Sequence, residues 1–183
     1  VIVSVRGKKI REPFLKSLEG LENSTGGGHL DAVGGKILKQ DWEKYKNVER
    51  KKFKKNRFLW LRGGKAKGKL IGGCFPSILR VAGTEYFPSF KNSIIFLETP
   101  EGERAGKPYM LRNVDANLSQ LIEIGVFDKA RGLILGIPYR YSERMKKEFY
   151  ELILERLKEF DFPILVNVNF GHTDPIITIP YGK

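Results

Sequence analysis

An α/β domain built on a largely parallel sheet and preceded by a short N-terminal arm is the architecture this sequence predicts. Three observations predict it. Short runs rich in aliphatic and β-branched residues, at 93–97, 132–137 and 164–168, alternate with helical stretches through the second half of the chain. The longest helical stretch, 143–160, carries Met145, Phe149, Leu152, Ile153, Leu157 and Phe160 at three- and four-residue steps, so one stripe faces a core. Residues 23–28, with Gly34 and Gly35 shortly after, are rich in Gly, Ser and Thr and have no hydrophobic period. They place a boundary near residue 40, with an arm over 1–40 and the domain over 41–183.

In chain order, residues 1–5 read as a short buried strand and 12–18 as a short helix starting beside Pro13. Residues 41–55 read as a charged helix and 58–61 as a strand. Gly63, Gly68 and Lys69 then have the spacing of a phosphate-binding loop, but Leu70 stands where Ser or Thr would hold magnesium. No long helix follows to aim its N-terminus at a phosphate, so a glycine-rich turn leading into a strand explains the same residues. Residues 74–82 form a short apolar helix ended by Gly83, and 93–97 a strand running into Glu98. Residues 114–124 form an amphipathic helix stopped by Gly125, and Ser142 caps the long helix. With the strands near Glu98, Ile137 and His172 parallel, their carboxyl ends share one rim.

Composition narrows the function. The chain has 183 residues, enough for one domain with a core of its own, and 41% hydrophobic content. No apolar run approaches the roughly 20 residues that cross a bilayer, so no membrane partner is expected. Basic residues 6, 8, 9 and 11 follow the first apolar run where a secretory signal would continue it, and the single cysteine, Cys74, can form no internal disulfide. A cytoplasmic protein is expected. The two histidines, His29 and His172, lie far apart with no zinc-ligand spacing, so neither a metal nor another cofactor is expected. Net charge is +12, and residues 44–69 hold twelve basic residues against one acid, Glu49. Trp42, Tyr45, Phe53, Phe58 and Trp60 interleave with them as stacking groups, which would suit a phosphate-binding patch for a nucleic acid. Charge runs are more often solvated faces, and a nucleic-acid partner is not the favoured reading.

His172, between the apolar runs 164–168 and 176–179, titrates near neutrality and can move protons. Glu98 leaves another strand at the same rim. A carboxylate there can bond one imidazole nitrogen and stabilise the imidazolium while the other nitrogen works as a base. No Gly-x-Ser-x-Gly elbow accompanies them, and Ser77, Ser89 and Ser119 have no activating context. His29 and Ser24 lie together in the glycine-rich stretch, which cannot hold a nucleophile and its base in line, and both read as structural.

Six stretches carry a resemblance: Arg62-Gly-Gly-Lys-Ala-Lys-Gly-Lys-Leu-Ile-Gly-Gly73, Gly83-Thr-Glu-Tyr-Phe-Pro88, Ile94-Ile-Phe-Leu-Glu98, Gly125-Val-Phe-Asp-Lys129, Gly132-Leu-Ile-Leu-Gly136 and Gly171-His-Thr-Asp-Pro175. In this order they resemble the LD-carboxypeptidase family of serine peptidases, which includes muramoyltetrapeptide carboxypeptidases and the microcin-immunity branch, over residues 42–183. The resemblance implies a swivelling mixed α/β C-terminal domain that supplies the glutamate and histidine of a Ser-Glu-His triad, here Glu98 as orienting acid and His172 as general base. It implies a serine on a separate flavodoxin-like N-terminal domain, in a Gly-Tyr-Ser-Asp type motif. Substrates so implied are murein tetrapeptides ending in a D-amino acid, or peptidyl-nucleotide toxins.

The chain also departs from the family pattern. Val1-Ile-Val-Ser-Val-Arg-Gly7 resembles the strand before the family's Arg-Gly-Gly loop, but Lys8 breaks it and no Gly-Tyr-Ser-Asp stretch occurs in the 183 residues. Turnover by this chain alone is therefore not expected. Cys74 stands where the family usually has asparagine, and reads as a buried thiol. Two alternatives stand beside the peptidase reading: a non-catalytic binding or homodimerisation module on the same scaffold, and a nucleic-acid binder using residues 44–69.

Overall fold

The computed structural model describes residues 58–104, 106–173 and 176–183. The expected arm with its strand and helix, Ser24, His29, the boundary near residue 40, the charged helix 41–55 and most of the basic run lie outside the described residues. Within them the chain order is β1 (Leu59–Arg62), β2 (Lys69–Cys74), α1 (Phe75–Arg80), β3 (Ser93–Glu98), α2 (Leu111–Glu123), β4 (Gly132–Gly136), α3 (Glu143–Arg156) and β5 (Ile164–Val168).

The strands form one mixed sheet in the order β1-β5-β4-β3-β2. β2, β3, β4 and β5 run parallel, as the alternation of strands and helices predicts, and β1 runs antiparallel along β5, with Leu59 opposite Val166. Near-continuous apolar runs such as Ile-Ile-Phe-Leu in β3 suit strands covered on both faces. Ile95, Leu97, Leu133, Leu135, Ile164 and Val166 point to the helical face and meet Phe75, Val114, Leu118, Leu121, Phe149 and Ile153. On the opposite face Phe96, Val168 and Phe170 gather with Leu70, Ile134, Leu165 and Ile179. In β3 and β4 this alternation is the two-residue period of a strand, and β5 departs from it at Val168, past an irregularity in its pairing with β4.

Helix boundaries follow the sequence where a cap marks them and drift where none does. Ser142 accepts a hydrogen bond from the Met145 amide at 3.2 Å and caps α3 as expected. α2 begins at Leu111, not Val114, behind an N-cap, Met110, whose side chain makes no capping bond. α1 stops at Arg80, after which Val81 and Ala82 bond only three residues back, in tighter turns than an α-helix allows. The loop 63–68 leads straight into β2 and not into a helix.

α3 ends at Arg156 and not at Phe160, and the reason lies on a distant strand. The Arg62 guanidinium donates to the carbonyls of Leu157 at 3.0 Å and Phe162 at 3.4 Å, and also to that of Phe160. These acceptors, at the end of the helix and in the turn after it, carry partial negative charge that a cation offsets. Arg62→Ala is expected to lower stability by about 2–3 kcal/mol, read as a reduced urea midpoint, because half-buried carbonyls lose a charged donor.

Two further contacts set the sheet. The β2 edge is covered by the chain's own last residues, with Leu70 donating to the Lys183 carbonyl and accepting from the Gly182 amide, both at 2.8 Å. At Gly72, paired with Phe96, β2 and β3 approach so closely that an added Cβ would lie 1.8 Å from the Phe96 carbonyl oxygen.

Candidate active site

Glu98 is the last residue of β3, and Cys74, at the end of β2, lies beside it in register. His172 follows β5 by four residues. In the sheet β4 stands between β3 and β5, so the histidine must cross the end of β4 to reach the glutamate. Three backbone features permit the crossing. A bulge shifts the β4–β5 register by one residue between Ile134 and Gly136, and Asn167 there takes a φ of +64°. Gly136 ends β4 without a side chain, and a Cβ on it would meet the Phe170 carbonyl oxygen at 2.7 Å. Gly171 turns with φ +85°, and a Cβ there would lie 2.1 Å from Glu98 Oε2.

The outcome is a histidine–carboxylate pair, with Nδ1 of His172 3.6 Å from Oε2 of Glu98. That is ion-pair range, slightly longer than a made hydrogen bond. The Glu98 side chain is 16% exposed and that of His172 36%, so the acid sits inside and the base at the surface. Oε2 is fully enclosed, and among the described residues it has no hydrogen-bond partner. Next to it Thr99 is 3% exposed, and its Oγ1 is also unpartnered among the described residues.

Charge follows from this arrangement. The Glu98 carboxylate within reach of Nδ1 pushes the His172 pKa above its ordinary 6.5, burial opposes the shift, and the charges of Glu98 and Glu101 add to it. A folded-state pKa above the unfolded one contributes stability that is fully present below pH 6.5 and is lost as pH rises through the folded value. Glu98→Gln is expected to flatten this decline, which denaturant midpoints at pH 5.5, 7 and 8.5 would read. The Cys74 thiol moves the other way for a nucleophile. Burial first, and the Glu98 charge second, raise it to about 11 against a hydrogen bond to Ser77. It is protonated at neutral pH, and it is half-buried where full burial was expected.

The strand between them contributes at the same rim. Tyr139, just past β4, meets His172 edge to face, with ring centroids 6.0 Å apart at 69°. Burial first, and the Glu101 carboxylate second, raise the pKa of its hydroxyl. Neither Tyr139 nor Glu101 stands out in the sequence, and the one available signal is that both follow strands ending at this rim.

Other features fall elsewhere. Of the serines weighed in the sequence, Ser77 lies against the Cys74 thiol and lowers its pKa, and Ser93 Oγ, not singled out there, is committed to the Phe90 carbonyl at 2.6 Å. Among the described residues no group of three or more His, Cys, Asp or Glu side chains could hold a metal ion, and no helix is long and apolar enough to cross a membrane. A polar cleft of about 650 Å³ lies at the amino ends of the parallel strands, opposite the histidine. There Lys65, Lys67 and Arg131 are matched by Asp128, Glu159 and Asp161, a balance of charge unlike a phosphate funnel. Arg62, counted in the basic run, is taken up by carbonyls of its own chain.

Comparison with known proteins decides the family. The model of the LD-carboxypeptidase C-terminal domain matches residues 67–183. The chain belongs to the LD-carboxypeptidase family. YocD of Bacillus subtilis (strain 168), whose name assigns it provisionally to the carboxypeptidases, is 31% identical over 122 residues, which are 65% of this chain and 35% of YocD. The microcin C7 self-immunity protein MccF of Escherichia coli is 29% identical over 144 residues, covering 78% of this chain and 40% of MccF. The structure of MccF in complex with glutamyl sulfamoyl guanosine superposes with a TM-score of 0.62 at 28% identity, over 74% of this chain and 39% of that one. The LD-carboxypeptidase fold expected from the six stretches is thus the fold found. The chain spans less than half the length of these relatives.

Proposed function

We propose that this chain supplies the general base, His172, and the orienting acid, Glu98, of a Ser-Glu-His amide hydrolase, and that the serine resides on the nucleophile domain that the LD-carboxypeptidase resemblance implies. The observation that carries this reading is the 3.6 Å approach of His172 Nδ1 to an enclosed, otherwise unpartnered carboxylate oxygen at the carboxyl rim of a parallel sheet. The positive φ of Gly171 and the lack of a side chain there let the chain pass against Glu98 Oε2, which supports the catalytic reading over a non-catalytic scaffold.

Nδ1–H of His172 donates to Glu98, which leaves Nε2 as the base. As the serine oxygen attacks the amide carbonyl carbon, Nε2 takes the hydroxyl proton. It returns this proton to the leaving nitrogen when the C–N bond breaks, and a water then releases the acyl group by the same route. The domain spans residues 41–183, acts in the cytoplasm and needs no metal. The substrate is a peptide amide, either a murein tetrapeptide ending in a D-amino acid or a peptidyl-nucleotide. The glutamyl sulfamoyl guanosine bound by MccF favours the second class. Two assays test the reading. The purified 183-residue chain should release no amino acid from either substrate, and the same residues fused behind a nucleophile domain of the family should release it. Turnover by the chain alone that His172→Ala abolishes would overturn the placement of the serine. A folded but inactive fusion would overturn the catalytic reading.

A further inference from the structure

The contacts around Tyr139 form a chain that the mechanism above does not use. The Arg140 guanidinium carbon lies 5.3 Å from the centre of the Tyr139 ring. Arg140 Nη1 donates to the Gly106 carbonyl at 2.8 Å, and the Gly106 amide donates to Glu101 Oε2 at 2.8 Å. The Glu101 carboxylate is also among the groups that raise the pKa of the Tyr139 hydroxyl, after burial. The lobe carrying Glu101 is itself folded, with Glu101 bridged to Pro108 and the Gly102 amide bonded to the Lys107 carbonyl at 2.8 Å. A half-exposed tyrosine is thereby held by a cation on its ring, and that ring is set against the imidazole.

The imidazole needs such a support. His172 sits on a turn whose glycine adopts φ +85°, its side chain is 36% exposed, and its contact with Glu98 is 3.6 Å long. A ring free to rotate about χ2 would turn Cδ2 toward the carboxylate in place of Nδ1. Packing against a fixed aromatic ring removes that freedom.

Resting on the triad reading, we infer that Tyr139, braced by Arg140 and the 101–108 lobe, is a positioning residue that holds the His172 imidazole with Nδ1 toward Glu98 and Nε2 toward the nucleophile. Tyr139 exchanges no proton with substrate in this role. Its ring does the holding.

The test reads the imidazole directly and needs no turnover. In the 183-residue chain carrying His29→Gln, His172 is the sole histidine, and nitrogen-15 correlation spectra at high pH report which nitrogen bears the proton. The Nδ1–H form is expected to predominate in this parent. Tyr139→Leu should lose that signature and revert to the mixture of a free imidazole, whereas Tyr139→Phe, which keeps the ring, should largely retain it. Arg140→Ala, a change at an exposed side chain, should weaken the signature in the same direction and decides the matter if Tyr139→Leu does not fold. Folded Tyr139→Leu with the Nδ1–H form intact, or Arg140→Ala without effect where Tyr139→Leu does not fold, would overturn the inference about Tyr139 alone. A parent with no Nδ1–H preference would overturn the triad reading beneath it.

Discussion

His172→Ala, in a protein that joins these residues to a nucleophile domain, is expected to lower kcat about 10⁶-fold while KM changes little, since a triad base acts in the transition state and contributes little to substrate binding. Glu98→Gln should cost less, about 10⁴-fold, because the imidazole remains and only its orientation and the stabilisation of its charge are lost. The pH profile gives an independent check. His172 must be neutral to accept a proton, and Glu98 raises its pKa above 6.5. The acid limb of kcat/KM should therefore have its midpoint above 6.5 and move down in Glu98→Gln. An acid limb indifferent to Glu98 would sink the pairing as a catalytic unit.

Gly72→Ala is the substitution expected to harm the fold most. An added Cβ would lie 1.8 Å from the Phe96 carbonyl oxygen and 2.7 Å from its amide nitrogen, so it meets backbone and not a side chain that could rotate away. Relief requires β2 and β3 to separate where they pair, which would disturb the register that sets Cys74 beside Glu98. A loss of about 4 kcal/mol, at the upper end of single-residue effects, should leave the protein largely unfolded in moderate urea. Gly83→Ala is the control. Gly83 has φ +81°, but an added methyl there would have nothing within 4 Å, so only backbone strain of about 1–2 kcal/mol is expected. Equal losses at the two glycines would show that close approach is not what Gly72 provides.

The parallel layer was legible because its strands are apolar end to end and separated by helices with a clear stripe. Glu98 was visible as an acid ending such a strand and His172 as a histidine four residues past another, and the resemblance implied a role for each. Their meeting was not legible. It depends on the bulge at Asn167 and on the absence of side chains at Gly136 and Gly171, and each of those residues, read locally, is only a turn former. Arg62 was misleading for a related reason. In the sequence it belongs to a run of positive charge, while in the fold its partners are carbonyls 95 to 100 residues away. Long-range pairings of this kind leave no periodic trace. Tyr139 is hidden in the same way, since its significance comes from a ring 33 positions further along.

The position of β1 also bears on how the chain is made. β1 is the first of the described strands to leave the ribosome, yet its neighbour in the sheet is β5, and Arg62 waits for carbonyls at 157, 160 and 162. The parallel pairs β2–β3 and β3–β4 can form from shorter stretches of chain, while β1 must remain unpaired with β5 until nearly all of the domain has been synthesised. Docking of this strand is then a late event in folding, and Phe58, Leu59 and Trp60 stay 46–56% exposed even once it has docked, an apolar edge that folding does not hide.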